Sequence, residues 1–177
     1  NGTDFPVFVP VPGRHMIANA VAAAAVGHIY GLTNQEIKQG IESLETISGR
    51  FKMIETEKFL IVDDCYNANP MSMKASLSVL QDGKGRRVAI LGDMGELGEN
   101  EVSLHEEVGV HAGICDIEVC ICVGSLCKHM AEKAQEENPA LSVIYEPDRE
   151  SLLSHLILVK ASHFMKFDEV VNALQQM

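Results

Sequence analysis

Short runs of uninterrupted apolar residues alternate along this chain with stretches of helical period. The runs are Phe59 to Asp64, Val88 to Asp93, Val119 to Gly124, Leu141 to Tyr145 and Leu156 to Lys160. Helices are predicted between and after them, over 71–81, 103–112, 125–137 and 167–176. A strand apolar at every position is covered on both faces. Regular alternation with helices therefore predicts an α/β fold: a Rossmann-like, mostly parallel sheet with helices on both faces. Ligands of such sheets bind beyond the carboxyl ends of the strands. Those ends carry Asp63-Asp64, Gly92-Asp93, Gly124-Ser125 and Lys160. One connection is short. Only about ten residues join Tyr145 to Leu156, where a parallel crossover takes a dozen or more. Either the helix around Ser151 to Ser154 is very short, or a loop is missing from the sequence.

The residues before Gly49 follow another pattern. Phe5 to Val11 predicts a strand, and Pro6, Pro10 and Pro12 confine it to an edge. The stretch Ala20 to Val26 predicts a small-residue helix, apolar on nearly every side and so expected to be buried. Gly31 ends it. Thr33 with Glu36 forms a capping box that opens a second helix, running to about Leu44. One strand and two helices are too little for a core of their own. A boundary is expected near Gly49, with 1–49 the end of a larger domain and 50–177 a domain in itself.

Composition narrows the function. Of 177 residues, 46% are apolar and 22% charged, which excludes a disordered tail or a coiled coil. The 25 acids against 14 Lys and Arg give a net charge of −11, a poor basis for binding nucleic acid or a membrane surface. No apolar run approaches the roughly 20 residues of a spanning helix. The start, Asn1-Gly2-Thr3-Asp4, has no signal-peptide pattern, so a cytoplasmic location is expected. The five clustered cysteines read as buried, reduced thiols, with no metal site expected.

The stretch Asp63-Asp64-Cys65-Tyr66-Asn67-Ala68-Asn69-Pro70 joins a strand to a helix. Good helix capping explains Asn69 and Pro70. It does not explain two adjacent acids, a Tyr and a second Asn at a sheet's carboxyl edge, where a carboxylate can accept both hydroxyls of a ribose. Asn19, in the Ala-rich helix, needs a partner, which an internal bond or a base edge could supply. The loop Gly92 to Gly98 lets the backbone approach a ligand, and its acids favour an amine over a phosphate. Lys160 and Ser162 could hold a carboxylate. No phosphate-loop motif is present.

Together these stretches resemble the Mur ligase family. The residues that carry the resemblance are Gly13-Arg14-His15 with Asn19, Gly49-Arg50-Phe51, Asp64 to Met73, Leu91-Gly92-Asp93-Met94-Gly95-Glu96-Leu97-Gly98 with His105, and Leu158-Val159-Lys160-Ala161-Ser162. The Tyr66-to-Pro70 and Gly92-to-Gly98 stretches are similar to the branch that adds D-alanyl-D-alanine to UDP-N-acetylmuramoyl-tripeptide. The resemblance implies that 1–49 end a central ATP-binding domain and that 50–177 are the family's C-terminal domain. It implies an ATP- and Mg²⁺-dependent amide ligase that acts through an acyl phosphate, in peptidoglycan precursor synthesis, as a monomer. It places His15, Asn19, Arg50, Asp64, Tyr66, Asn67 and Asn69 on the nucleotide. Asp93, Lys160, Ser162 and His163 fall on the incoming dipeptide's side. The phosphate loop and most Mg²⁺ ligands would lie upstream, so these 177 residues alone are expected to be inactive. Two positions depart from the family pattern. Met16 stands where Asn usually follows the His, and cannot make its hydrogen bonds. His163 stands where Arg usually closes the Lys-Gly-Ser-Arg motif, and is mostly neutral at pH 7. Two rival readings remain: another Mur or folylpolyglutamate-type ligase, and a non-enzymatic α/β binding module.

Overall fold

The computed structural model describes residues 4–56, 59–148 and 171–172, and the backbone of 158–160. They form two compact units, one ending at Thr46 and the other beginning at Ile47.

The first unit contains helices α1 (Arg14–Ile29) and α2 (Asn34–Glu42). The capping box of α2 forms as the sequence predicts: Thr33 accepts from the Glu36 amide, and the Glu36 carboxylate accepts from Thr33. Gly31 follows the last turn of α1 at φ +80°, a conformation that suits glycine. Two expectations fail here. The predicted strand over Phe5 to Val11 is irregular chain; its prolines cannot donate to a ladder, and the Phe8 amide instead donates to Glu42 Oε1 at 3.0 Å. Helix α1 is not buried: only Gly27 is, closely packed against Ile37, while Ile17, Val21, Val26 and Ile29 are exposed. An all-apolar helix needs cover on every side, and within this unit α2 can cover only one.

The second unit is a six-stranded sheet in the order β1-β2-β6-β3-β4-β5. The strands are β1 (Lys52–Glu55), β2 (Leu60–Asp63), β3 (Val88–Gly92), β4 (Val119–Val123), β5 (Ser142–Glu146) and β6 (Leu158–Lys160). All neighbours are parallel except β1 and β2. Strand β1 has no counterpart in the sequence reading. Lys52 and Glu55 flank only two apolar residues, and an edge strand needs no more. Helices α3 (Pro70–Gln81), α4 (Glu101–Ile114) and α5 (Cys127–Glu137) occupy the predicted helical stretches. The crossover from β5 to β6 runs over 147–157, of which 149–157 lie outside the described residues; so does the predicted helix over 167–176, apart from Val171 and Asn172, which are helical.

The alternation of strand side chains divides the core. Ala89, Leu91, Cys120 and Cys122 face Met73 and Leu77 of α3, Val108 and Ala112 of α4, and Met130 and Ala134 of α5. Ile61, Val88, Ile90, Val119, Ile121 and Val123 face the other way, with Val171 against them. Helix residues thus cover both faces. All five cysteines are buried free thiols. Cys120 and Cys122 share a face, with sulfurs 3.7 Å apart, as strand parity predicts.

At the sheet's amino edge Arg87 clamps two acids. Its guanidinium donates to Asp116 and Glu118, each at 2.7 Å, and its backbone amide to Glu118 at 2.6 Å. These bonds hold the Glu118 carboxyl down at about 2. Because the folded value is depressed, the clamp's stabilisation is complete above the ordinary value of 4.5 and is lost as pH falls through about 2. Arg87→Ala should therefore lower the unfolding midpoint equally at pH 7 and pH 5, and by progressively less below that. A penalty undiminished at pH 2 would assign Arg87 to packing rather than charge.

Candidate functional site

The carboxyl edge of the sheet gathers the segments singled out in the sequence. Strand β2 ends at Asp63, which pairs with Val159 of β6; Lys160 pairs with Leu91 of β3, one residue before Gly92. The loop 64–69, Lys160 and the Gly92–Gly98 loop thus leave neighbouring strands at one edge.

In the first loop the two adjacent acids point apart. Asp63 shares a strand face with Ile61 and is 1% exposed. Its Oδ2 accepts from Ser48 Oγ at 2.9 Å and from the Gly49 amide at 2.8 Å, and its Oδ1 from Cys65 Sγ at 3.0 Å. Asp64 is half-buried and accepts from Ser76 Oγ of α3 at 2.6 Å. Tyr66 and Asn67 are exposed. The Arg50 guanidinium lies 4.0 Å over the Tyr66 ring, a cation–π stack. Asn67 Oδ1 accepts from the Ala68 amide at 2.9 Å. Asn69 caps α3: its side-chain oxygen accepts from the Ser72 amide at 2.9 Å, and its own amide donates to Ser72 Oγ at 3.1 Å. Arg50, Asp64, Tyr66, Asn67 and Asn69 thus belong to one strand-end cluster.

The Gly92–Gly98 loop is built differently from its sequence reading. Asp93 is 7% exposed and turned inward, not toward an open edge. It accepts from the Cys127 amide at 2.8 Å and from Ser125 Oγ at 3.4 Å, so it caps the first turn of α5, where a carboxylate also suits the helix dipole. Gly124, at φ +119°, makes room for it: a Cβ there would lie 2.5 Å from the carboxylate. His105 of α4 fixes the same loop. Its Nε2 accepts the Met94 amide at 2.9 Å, so the ring hydrogen sits on Nδ1, which donates to the Glu101 carbonyl at 2.7 Å.

Asp93, His105 and Cys127 bring one oxygen, one nitrogen and one sulfur within 4.8 Å of one another. Both His105 nitrogens are engaged, and burial and the neighbouring Asp93 push the Cys127 thiol up, so it stays protonated. The three side chains meet in a hydrogen-bonded junction. Burial likewise raises the Cys115 thiol, to about 11.

The remaining predicted residues divide in two. Asn19 and Met16 line a cavity of about 350 Å³ between α1 and α2, with Val9, Ala20, Ile37 and Leu44. Asn19 is exposed, and its amide donates to Met16 Sδ at 3.6 Å, so the replacement by methionine gives that amide a soft acceptor. His15 is half-buried at the start of α1. Lys160 has a place in the sheet, while Ser162 and His163 lie outside the described residues. Sequence reasoning missed Ser48 and Ser76, and marked Ser125 only as a strand end. Ser48 directly precedes the motif residues 49–51, and Ser76 carried no local signal.

Comparison with known proteins gives a consistent picture. The family model described as "Mur ligase, glutamate ligase domain" matches residues 49–171. A Bacillus subtilis protein, UDP-N-acetylmuramoyl-tripeptide–D-alanyl-D-alanine ligase, is 33% identical over 98% of this chain and 40% of its own length. The crystal structure of MurF from Acinetobacter baumannii superposes with a TM-score of 0.85 at 28% identity, over 97% of this chain and 39% of that one. A Thermotoga maritima MurF ligase in complex with ADP has a TM-score of 0.76 at 24% identity, covering 94% of this chain and 39% of its own, a likeness of fold alone. The chain spans about 40% of the length of the curated relatives it matches.

Proposed function

The chain belongs to the Mur ligase family, and we propose that it supplies the C-terminal part of an ATP-dependent ligase that joins D-alanyl-D-alanine to UDP-N-acetylmuramoyl-tripeptide. The observation that carries this reading is the strand-end cluster of Arg50, Asp64, Tyr66 and Asn67, taken with the 33% identity to a ligase of that name. The unit up to Thr46 would be the end of the central ATP-binding domain, with His15 and Asn19 on the adenine side.

The cluster suits a nucleotide. Asp64, held by Ser76, offers a carboxylate to ribose hydroxyls. Arg50, held over the Tyr66 ring, offers a cation to phosphate, and Asn67 and Asn69 offer amides. In the reaction, the tripeptide's terminal carboxylate attacks the γ-phosphorus of ATP, forming an acyl phosphate and releasing ADP. The dipeptide's amine then attacks the acyl carbon, phosphate leaves, and the amine loses its proton. Rate comes from holding three substrates together and neutralising phosphate charge. Mg²⁺, when bound, would supply part of that neutralisation. Asp93, His105 and Cys127 do not fit it, since Mg²⁺ takes oxygen ligands and these groups are spent on one another and the backbone. Most of its ligands would lie upstream. Lys160, Ser162 and His163 would meet the dipeptide's carboxylate, and Asp93 would act by fixing its loop. No described helix is long and apolar enough to cross a membrane; the reading carries a cytoplasmic, monomeric enzyme with it.

Phosphate release by the full-length protein tests this. With ATP, the UDP-linked tripeptide and D-alanyl-D-alanine omitted one at a time, release should require all three. Release with a different amino acid in place of the dipeptide would instead identify a sister ligase.

A further inference from the structure

We propose that Asp63 is a positioning residue for Arg50: it clasps the turn 48–51 and so fixes the guanidinium within the strand-end cluster proposed to bind nucleotide. The inference rests on the nucleotide reading of the strand-end cluster and extends it to a residue that cannot itself reach a ligand. Asp63 is buried, and a buried carboxylate is costly unless each oxygen is engaged. Here both are. Two of the three donors, Ser48 Oγ and the Gly49 amide, come from the turn and converge on Oδ2, at 2.9 and 2.8 Å. The third, Cys65 Sγ, belongs to the loop that carries Tyr66.

The turn needs such a clasp. Gly49 sits at φ +77° and Phe51 at φ +56°, a left-handed conformation that a bulky residue adopts only when its surroundings impose it. Phe51 is buried, which anchors one end. Asp63 anchors the other, and the Gly49 carbonyl accepts the Tyr66 amide at 2.9 Å. A side chain at Gly49 would press on Tyr66, with Cβ 3.1 Å from Cβ. Arg50 is the one residue of this pinned turn that is both exposed and charged, and its guanidinium lies over the ring of the residue its turn is bonded to. One carboxylate thereby ties together both partners of the stack. Hydrogen bonds to a charged acceptor are roughly twice as strong as neutral ones, so the charge, not only the shape, of Asp63 holds the turn.

The test is a double-mutant cycle in the full-length enzyme. Asp63→Asn should raise the KM for ATP about three- to tenfold with kcat little changed. In an Arg50→Ala background it should add less than about twofold, because there is no guanidinium left to position. Ser48→Ala, which spares the strand, should act in the same direction more weakly, and Ser48→Thr should restore the parent KM. It serves as the second variant if Asp63→Asn fails to fold. Effects of Asp63→Asn and Arg50→Ala that multiply would overturn the proposal, as would an unchanged KM in folded Asp63→Asn and Ser48→Ala enzymes. An Arg50→Ala enzyme with unchanged KM for ATP would overturn the nucleotide reading beneath it, a result distinct from multiplying effects.

Discussion

On the proposed nucleotide reading, Asp64→Ala in the full-length protein should lower kcat/KM for ATP by roughly 10- to 150-fold, the range expected when a charged hydrogen-bonding partner worth about 1.5–3 kcal/mol is removed. Most of the loss should appear in KM, because ribose hydroxyls are held alike in ground and transition states. The geometry makes Asp64 the residue to test. Ser76 Oγ holds its carboxylate at 2.6 Å, so the side chain is oriented before any ligand arrives. The same substitution should cost the fold little. Asp64 is only half-buried, and the freed Ser76 hydroxyl already lies 3.0 Å from the Ser72 carbonyl. Asp64→Asn, which keeps one oxygen and loses the charge, should fall between the two. The measurement is ATP saturation at fixed tripeptide and dipeptide, with the unfolding midpoint as control. A folded Asp64→Ala enzyme with parental ATP kinetics would remove this carboxylate from the nucleotide site.

The sheet was readable because its strands β3 and β4 are buried on both faces, which leaves runs such as Val88 to Leu91 without a polar position. Strand β1 was not, since an edge strand with only Met53 and Ile54 between charges carries no comparable signal. The burial expected of α1 from its small apolar residues does not hold, because within its unit only α2 packs against it and Gly27 alone is buried. The site was legible as a place, because strand ends collect ligand-binding loops whatever their sequence. The division of labour within it was legible only in part. Parity alone puts Asp63 on the face of Ile61 and Asp64 on the other, so the inward turn of Asp63 was available in the sequence. Its partners were not: Ser48 and Gly49 come from before β1, and no periodicity relates them to β2. Asp93 shows the limit most clearly. An acid in a glycine-rich loop reads as exposed, but its real partner, the Cys127 amide, lies across the sheet edge from it, beside a glycine whose missing side chain makes the space.

Gly109→Ala should destabilise this domain by about 2 kcal/mol, although alanine is the better helix former. Two effects compete. In the middle of α4 the substitution favours the helix by about 1 kcal/mol. Against that, α4 and α5 cross at Gly109 and Gly113 so closely that a methyl on Gly109 would overlap the Met130 carbonyl oxygen, and its nearest side-chain neighbour, Lys133 Cβ, would be 3.0 Å away. A carbonyl in a helix cannot turn aside as a flexible side chain can. The helices must separate, and Val108, Ala112, Met130 and Ala134, all in the core beneath the sheet, lose contact together. Overpacking of this kind costs about 1–3 kcal/mol, with backbone obstruction at the upper end, so packing outweighs propensity. Gly40, in α2, is the control, because a methyl there meets nothing within 4 Å and only the propensity gain remains. Thermal unfolding should place the Gly109→Ala midpoint roughly 4–8 °C below the parent, and the Gly40→Ala midpoint at or above it. A Gly109→Ala midpoint at or above the parent's would mean that α4 and α5 can part at no cost, against the close crossing of their backbones.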